Sequence, residues 1–472
     1  MSDGIEIMST SLHDLSAIDL IDGFWAKQFS PTEVLEDVLN HVAAWEPHIK
    51  ALYAFDPDGA RAMAKGSTER WHKRAPTGPL DGVPATIKEN IATEGVPVPL
   101  GAATSTLVPA AADAPPAARL REAGAVIFSK TTMPDYGMLS SGLSSFHPLT
   151  RNPWDLSKNP GGSSAGAGAA GAAGYGPLHV GTDIGGSVRL PACWCGLVAL
   201  KPSLGRIPID PSYVGRVAGP MTRTVQDAAL MMSVLSLPDS RDGMSLPPND
   251  FDWGALDIEL KGVRIGLSLD LGFALPLESD VRETVLKAAR AFEAAGAIVT
   301  EVPPVMTREL LDGLDNFWRA RSWDDLVKLP PAERAKALPY IRQWAESGAR
   351  LSGLDVIRGF NATMTIRTAA AKQFADIDYL LSPVSPVVNF AAELASPIND
   401  PEKPFEHIGY TVAWNMSEQP AVSLNGGYSS SGFPIGVQIV GRRFDDLGVL
   451  RMAKAFETLR GPQKPWPSPP KA

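Results

Sequence analysis

Apolar and polar positions along the chain follow two rhythms. Val34, Val38, Val42 and Trp45 recur at helical spacing behind Ser30-Pro31-Thr32-Glu33, which predicts a helix resting one face on a core. Its start is marked three times over. Ser30 can cap, proline suits the first helical position, and Glu33 can close a capping box. A further helix is expected near 117–123, ending at Gly124, with a short strand Val126-Ile127-Phe128 behind it. Residues 263–302 read as a βαβ unit. Val263–Leu267 is the first strand, Val281–Ala295 an amphipathic helix capped by Gly296, and Ile298–Val302 the second strand. Strands are also expected near Tyr379-Leu380-Leu381 and over Gly436–Val440, and a helix from about Leu447 to Leu459. Strands and helices alternate over most of the chain, with no repeat period and no linker that separates clean domains. That pattern predicts one large α/β unit, with a mostly helical stretch near 305–375 able to form a side of a pocket.

Residues 161–176 break both rhythms: thirteen of the sixteen are Gly or Ala. A low-complexity linker would be richer in Ser and Pro and more polar, and this stretch leads straight into an apolar segment. The better expectation is a loop plus a helix almost bare of side chains, which lets other backbone approach closely. Its glycines lower helix propensity, so tertiary packing must hold it.

Composition narrows the class. Hydrophobic residues make up 44% of 472 and charged residues 20%, an ordinary globular mixture. A chain of this length can bury a large core without disulfides or metals. The net charge of -9 argues against a nucleic-acid-binding surface. Cys193 and Cys195 are one residue apart. Even side by side on a strand they would close too short a loop to staple a fold, so they read as reduced thiols in a cytosolic chain. Without clustered histidines they give little support for zinc. Met1-Ser-Asp-Gly-Ile-Glu6 has no basic region followed by an apolar stretch, and no run of about 20 apolar residues exists to span a bilayer. The expectation is a cytoplasmic protein with no membrane, metal or cofactor requirement.

Three segments carry candidate chemistry. In Gly82-Val-Pro-Ala-Thr-Ile-Lys88-Glu-Asn90, a lysine follows a mostly apolar run; most lysines in such places simply reach solvent. In Pro160-Gly-Gly-Ser163-Ser164-Ala-Gly166, two glycines precede two serines. This suits a tight turn presenting hydroxyls at a helix start, or plain N-capping. In Gly181-Thr-Asp183-Ile184-Gly185-Gly186-Ser187-Val-Arg189, consecutive N–H groups in a glycine turn can converge on an anion, although glycine turns are common. Gly166-Ala-Gly168-Ala-Ala-Gly171 also fits a dinucleotide-binding pattern. No strand is expected before it, and Asp183 reads as part of a glycine-rich turn rather than a strand end, so that reading fails.

Each segment alone is ambiguous; in this order they are specific. The chain resembles the amidase signature family, the Ser–cisSer–Lys amide hydrolases, through the segments holding Lys88, Ser163 and Ser187. Further likeness lies in Asn152-Pro153, Cys195-Gly196 through Leu200-Lys201-Pro202, Gly219-Pro-Met-Thr-Arg223 and Gly432-Phe-Pro-Ile-Gly-Val-Gln438, so it spans roughly residues 10–460. The resemblance implies a large twisted mixed β-sheet core surrounded by α-helices, a single amidase domain over 1–472, and a variable helical and loop region at 305–410 that shapes the substrate pocket. It implies Ser187 as nucleophile, Ser163 as proton relay and Lys88 as base. The N–H groups of Ile184, Gly185, Gly186 and Ser187 form the implied oxyanion hole, and Gly137, Met138 and Leu139 are expected to line the substrate pocket.

An alcohol needs a base to attack at neutral pH, and none of the seven histidines stands in a recognisable context with these serines. Lysine can serve if burial keeps it neutral. Asp183 and Arg189 are expected to support the turn, and Cys195 to pack as a small apolar residue. Phe317, Trp318, Trp323, Trp344 and Trp414 are aromatic candidates for the pocket mouth, together with the Pro-rich loop near 383–410. The expected substrates are aryl or hydrophobic amides, with carbamates (urethanes) and esters as relatives sharing a tetrahedral intermediate. The expected assembly is a monomer or homodimer. The main rival is the glutaminase subunit of a tRNA-dependent amidotransferase, with Arg367 as a carboxylate-binding arginine. Against it, His407-Ile-Gly-Tyr410 lacks the acid expected for an amine. A catalytically dead scaffold is the rival from outside enzymes, and the presence of all three triad residues speaks against it.

Overall fold

A computed structural model describes residues 11–470; the reading of Met1–Glu6 lies outside them. Eleven strands form one sheet. In chain order they are β1 (Leu52–Tyr53), β2 (Pro84–Lys88), β3 (Val126–Thr131), β4 (Leu178–Asp183), β5 (Val198–Lys201), β6 (Val217–Thr222), β7 (Arg264–Leu267), β8 (Ile298–Glu301), β9 (Tyr379–Pro383), β10 (Ala421–Tyr428) and β11 (Pro434–Val440). Their spatial order is β1-β3-β2-β4-β6-β5-β10-β11-β9-β7-β8. β3-β2-β4 and β9-β7-β8 pair in parallel, while the strands from β4 through β6, β5, β10 and β11 to β9 pair antiparallel. The sheet is thus mixed, and helices pack around it. β2, β3 and β4 are buried along their whole length, as parallel strands covered on both faces must be.

The helix signals hold in detail. Pro31–Ile49 is one helix with a reciprocal capping box between Ser30 and Glu33, and it buries Val34, Val38, Val42 and Trp45. Pro115–Glu122 ends before Gly124, which takes the positive φ that glycine tolerates. The βαβ unit is present with its strands parallel. The C-cap there is Ala295, and Gly296 follows it with φ +98°.

The Gly/Ala stretch forms the helix Ala165–Ala173, buried at every position. A Cβ on Gly166 would lie 2.3 Å from the Ala51 carbonyl oxygen and 2.4 Å from the Thr132 nitrogen. The helix is bare because backbone presses on it, and that packing outweighs its poor propensity.

Two expectations are corrected. Asp183 is the last residue of β4, not part of a turn; the glycines that follow disguised the strand end. The dinucleotide reading still fails, because no strand leads into Ala165–Ala173 and the Asp183 carboxylate is occupied within the protein. Cys193 and Cys195 lie on the helix Arg189–Cys195, buried and unbridged. Cys195 Sγ approaches the Pro160 carbonyl at 3.3 Å, and Cys193 Sγ accepts from the Gly436 N–H.

Candidate active site

The parallel trio β3-β2-β4 brings the three segments together. β2 ends on Lys88, and neighbouring β4 ends on Asp183, delivering Ile184–Ser187 just beyond the sheet. The turn ahead of Ala165–Ala173 supplies Ser163, whose peptide bond with Gly162 is cis. Lys88 is fully buried, with Nζ 2.7 Å from Ser163 Oγ, 3.0 Å from Thr182 Oγ1 and 3.5 Å from the Thr182 carbonyl oxygen. It forms no ion pair among the described residues. Asn90 Nδ2 donates to Thr182 Oγ1 and fixes that acceptor.

The charge state of Lys88 follows from these surroundings. Burial pushes its pKa well below the ordinary lysine value, and the nearby positive charge of Arg216 pushes the same way against Asp183 and Glu89. The Glu89 carboxylate is turned away, taking the Gly101 N–H and pairing with His147.

Ser163 and half-buried Ser187 line one cavity of about 560 Å³. Their hydroxyls do not hydrogen-bond to each other; Ser164 joins the two segments, its N–H donating to the Ser187 carbonyl at 3.1 Å and its hydroxyl bonding to the Thr182 backbone. Gly137 stands opposite, where a Cβ would come within 3.3 Å of Ser163 Oγ. Met138 and Leu139 line the same cavity.

Asp183 shapes the glycine turn. Its Oδ1 accepts the Gly186 N–H at 2.7 Å and its Oδ2 the Val188 N–H at 3.1 Å. Arg189 holds both oxygens at 3.0 Å and reaches on to the Thr411 carbonyl, Gln438 and Asn415. Burial would raise the Asp183 pKa, but the guanidinium and these donors outweigh it and hold the carboxyl well below its usual range. The supporting role read for this pair is thus what the geometry displays. The Gly186 N–H is taken, which removes it from the expected set of oxyanion donors. The N–H groups of Ile184, Gly185 and Ser187 have no partner among the described residues. Gly186 has φ +128°, and a Cβ there would strike Thr411 Oγ1.

Trp318 is the one expected aromatic that lines the cavity; Phe317, Trp323, Trp344 and Trp414 do not. Trp344 and Trp414 are buried behind the wall, Trp344 against Phe405 and Trp414 against Phe374. Phe405, edge-on to Trp318 and Trp344, takes the place at the wall. Arg367 is also corrected: it pairs with Glu418 and lies outside the cavity lining. Asn90, Thr182, Tyr136, Tyr213 and Arg216 were missed, as was His407. His407 lines the cavity, but burial drives its pKa to about 3, and it touches neither serine. Asn90 and Thr182 had a local signal, standing two residues after Lys88 and five before Ser187 inside the segments singled out above.

The sequence model of the amidase family matches residues 33–450. This chain belongs to the amidase family. Among similar amidase-fold structures is a bacterial aryl acylamidase of the amidase signature family, at TM-score 0.87 and 29% identity, covering 95% of this chain and 97% of that one. An acylamidase from Rhodococcus erythropolis is 32% identical over 97% of each chain. A glutamyl-tRNA(Gln) amidotransferase subunit from Lachnospira eligens is 32% identical over 96% of this chain and 99% of its own. Among the described residues of this amidase-family chain, no helix is long and apolar enough to cross a membrane.

Proposed function

We propose that this protein hydrolyses the C–N bond of small-molecule amides through an acyl-enzyme on Ser187, with Ser163 as proton relay and Lys88 as base. The observation that carries the reading is a fully buried amine, without an ion pair among the described residues, 2.7 Å from the Ser163 hydroxyl, which lines a cavity together with a second serine whose turn has N–H groups unpartnered among those residues.

A neutral amine has two N–H bonds and one lone pair. Thr182 supplies acceptors for the N–H bonds, which leaves the lone pair for the Ser163 hydroxyl. Substrate binding closes the remaining link by turning the Ser187 hydroxyl toward Ser163; catalytic hydrogen bonds commonly tighten only in the complex. Ser187 Oγ then bonds to the amide carbon while its proton passes through Ser163 to Lys88. The N–H groups of Ile184, Gly185 and Ser187 hold the oxyanion, each such donor being worth about 10²–10³ in kcat. The proton returns through Ser163 to the leaving nitrogen, the C–N bond breaks, and water cleaves the acyl ester to release the acid.

Met138, Leu139, Trp318, Phe405 and Ile408 give the cavity an apolar wall, which favours aryl or hydrophobic amides. Carbamates and esters pass through the same tetrahedral step. We assign substrate selection to the 305–410 region, which supplies Trp318, Phe405 and Ile408. The likeness to the amidotransferase keeps a glutaminase as the second reading, but the arginine it would use is bound to Glu418. Sulfonyl fluoride labelling mapped to Ser187, with turnover of anilides, aliphatic amides, aryl carbamates and glutamine compared, tests both. Labelling at Ser187 with anilide turnover is the expected result. Turnover of glutamine alone would transfer the assignment to the second reading, and no labelling would remove both.

A further inference from the structure

The cavity carries two cations that transfer no proton and hold no oxyanion in the hydrolytic steps, and what they select deepens the amide-hydrolase reading on which this inference rests. Arg216 immediately precedes β6. Its Nη1 donates to the Pro211 carbonyl at 2.5 Å and its Nη2 to the Asn90 carbonyl at 3.5 Å. Arg321, on the helix Arg308–Val327, lays its guanidinium over the Tyr213 ring, 3.7 Å from the centroid. Both line the cavity that holds Ser163 and Ser187. Among the described residues neither forms an ion pair. Three acids share the wall: Asp183 is committed to Arg189, and Asp210 and Asp325 are exposed to water.

Arg216 is half-buried, and among the described residues no carboxylate pairs with it directly. Burial, and then the charge of Arg321, lower its pKa to about 10 against the opposing charges of Asp210 and Asp242, so the two guanidiniums feel each other. Arg321 is exposed, so water screens part of the repulsion between the two cations, and an anion held between them would relieve the rest. A planar guanidinium fits a carboxylate through two parallel N–H bonds. We infer that Arg216 and Arg321 recognise a carboxylate on the substrate, so that the preferred substrates are amides bearing an anionic group, not uncharged ones.

Two matched pairs test this and distinguish the side of the scissile bond that carries the charge. One compares glutaryl and pentanoyl 4-nitroanilides; the other compares N-acetyl-4-aminobenzoate with acetanilide. The full chain should favour the anionic member of one pair at least tenfold in kcat/KM. Arg216→Met and Arg321→Gln should each reduce that ratio tenfold or more, and Arg216→Lys should restore part of it. Turnover without anionic preference in either pair would overturn the inference and leave the hydrolase reading standing. A preference that survives in Arg216→Met, with only the acid limb of the pH profile moved, would also overturn it, because Arg216 would then act on Lys88 alone. Absence of all turnover, with no labelling of Ser187, would remove the hydrolase reading and this inference together.

Discussion

At the scale of single residues, the proposed chemistry turns on one amine. The base function proposed for Lys88 requires the neutral form, so lowering the pH through the shifted pKa would remove the base. The kcat/KM profile should fall about tenfold per pH unit on its acid side, with that limb well below the ordinary lysine range. Lys88→Ala should lose about 10²–10⁴ in kcat, the span of a general base; full activity in that variant would end the assignment. Stability carries the same sign. The unfolded chain takes up the lysine proton near about 10.4, while the folded chain releases it lower. Between those values the unfolded state binds more protons, so the contribution of Lys88 to stability falls as pH drops. Lys88→Met should flatten that part of the stability–pH curve measured by denaturant unfolding. Lys88 and both serines were legible because each sits in a distinctive local segment. Arg216 and Tyr213 were not, since nothing within their own loop marks it as a cavity wall.

At the scale of elements, the bare helix Ala165–Ala173 sets how closely the serine turn approaches the sheet. Alanine is the better helix former by roughly 1 kcal/mol, so propensity alone would make Gly166→Ala stabilising. The Ala51 oxygen stands 2.3 Å from where that methyl would sit, and backbone cannot step aside cheaply. Overpacking of this kind typically costs about 1–3 kcal/mol. Gly166→Ala should therefore lower the urea midpoint, and an unchanged or raised midpoint would contradict the packing account. The sequence foresaw the helix and its bareness; the atoms pressing on it come from residues 51 and 132, distant in the chain.

At the scale of the whole molecule, Arg189 ties the end of β4 to β11 and to the helix Gly409–Met416 through Asp183, Gln438, Thr411 and Asn415. Removing one member of a buried pair strands the other charge, at a cost of about 3–5 kcal/mol. Asp183→Asn should show that loss as a lower unfolding midpoint, together with weaker turnover because the glycine turn loses its anchor. A midpoint within error of the parent would refute the anchoring role. Local pattern alone determined the α/β class, most element positions, the serine turn and the lysine strand end, because capping, periodicity and glycine placement act over a few neighbouring residues. Only the tertiary structure decided that Asp183 closes a strand, that the Gly186 N–H is already bonded, that Arg367 belongs to Glu418, and which aromatic faces the cavity. Those outcomes depend on partners far away in sequence, and a side chain's neighbours there are set by how the sheet and its covering helices pack.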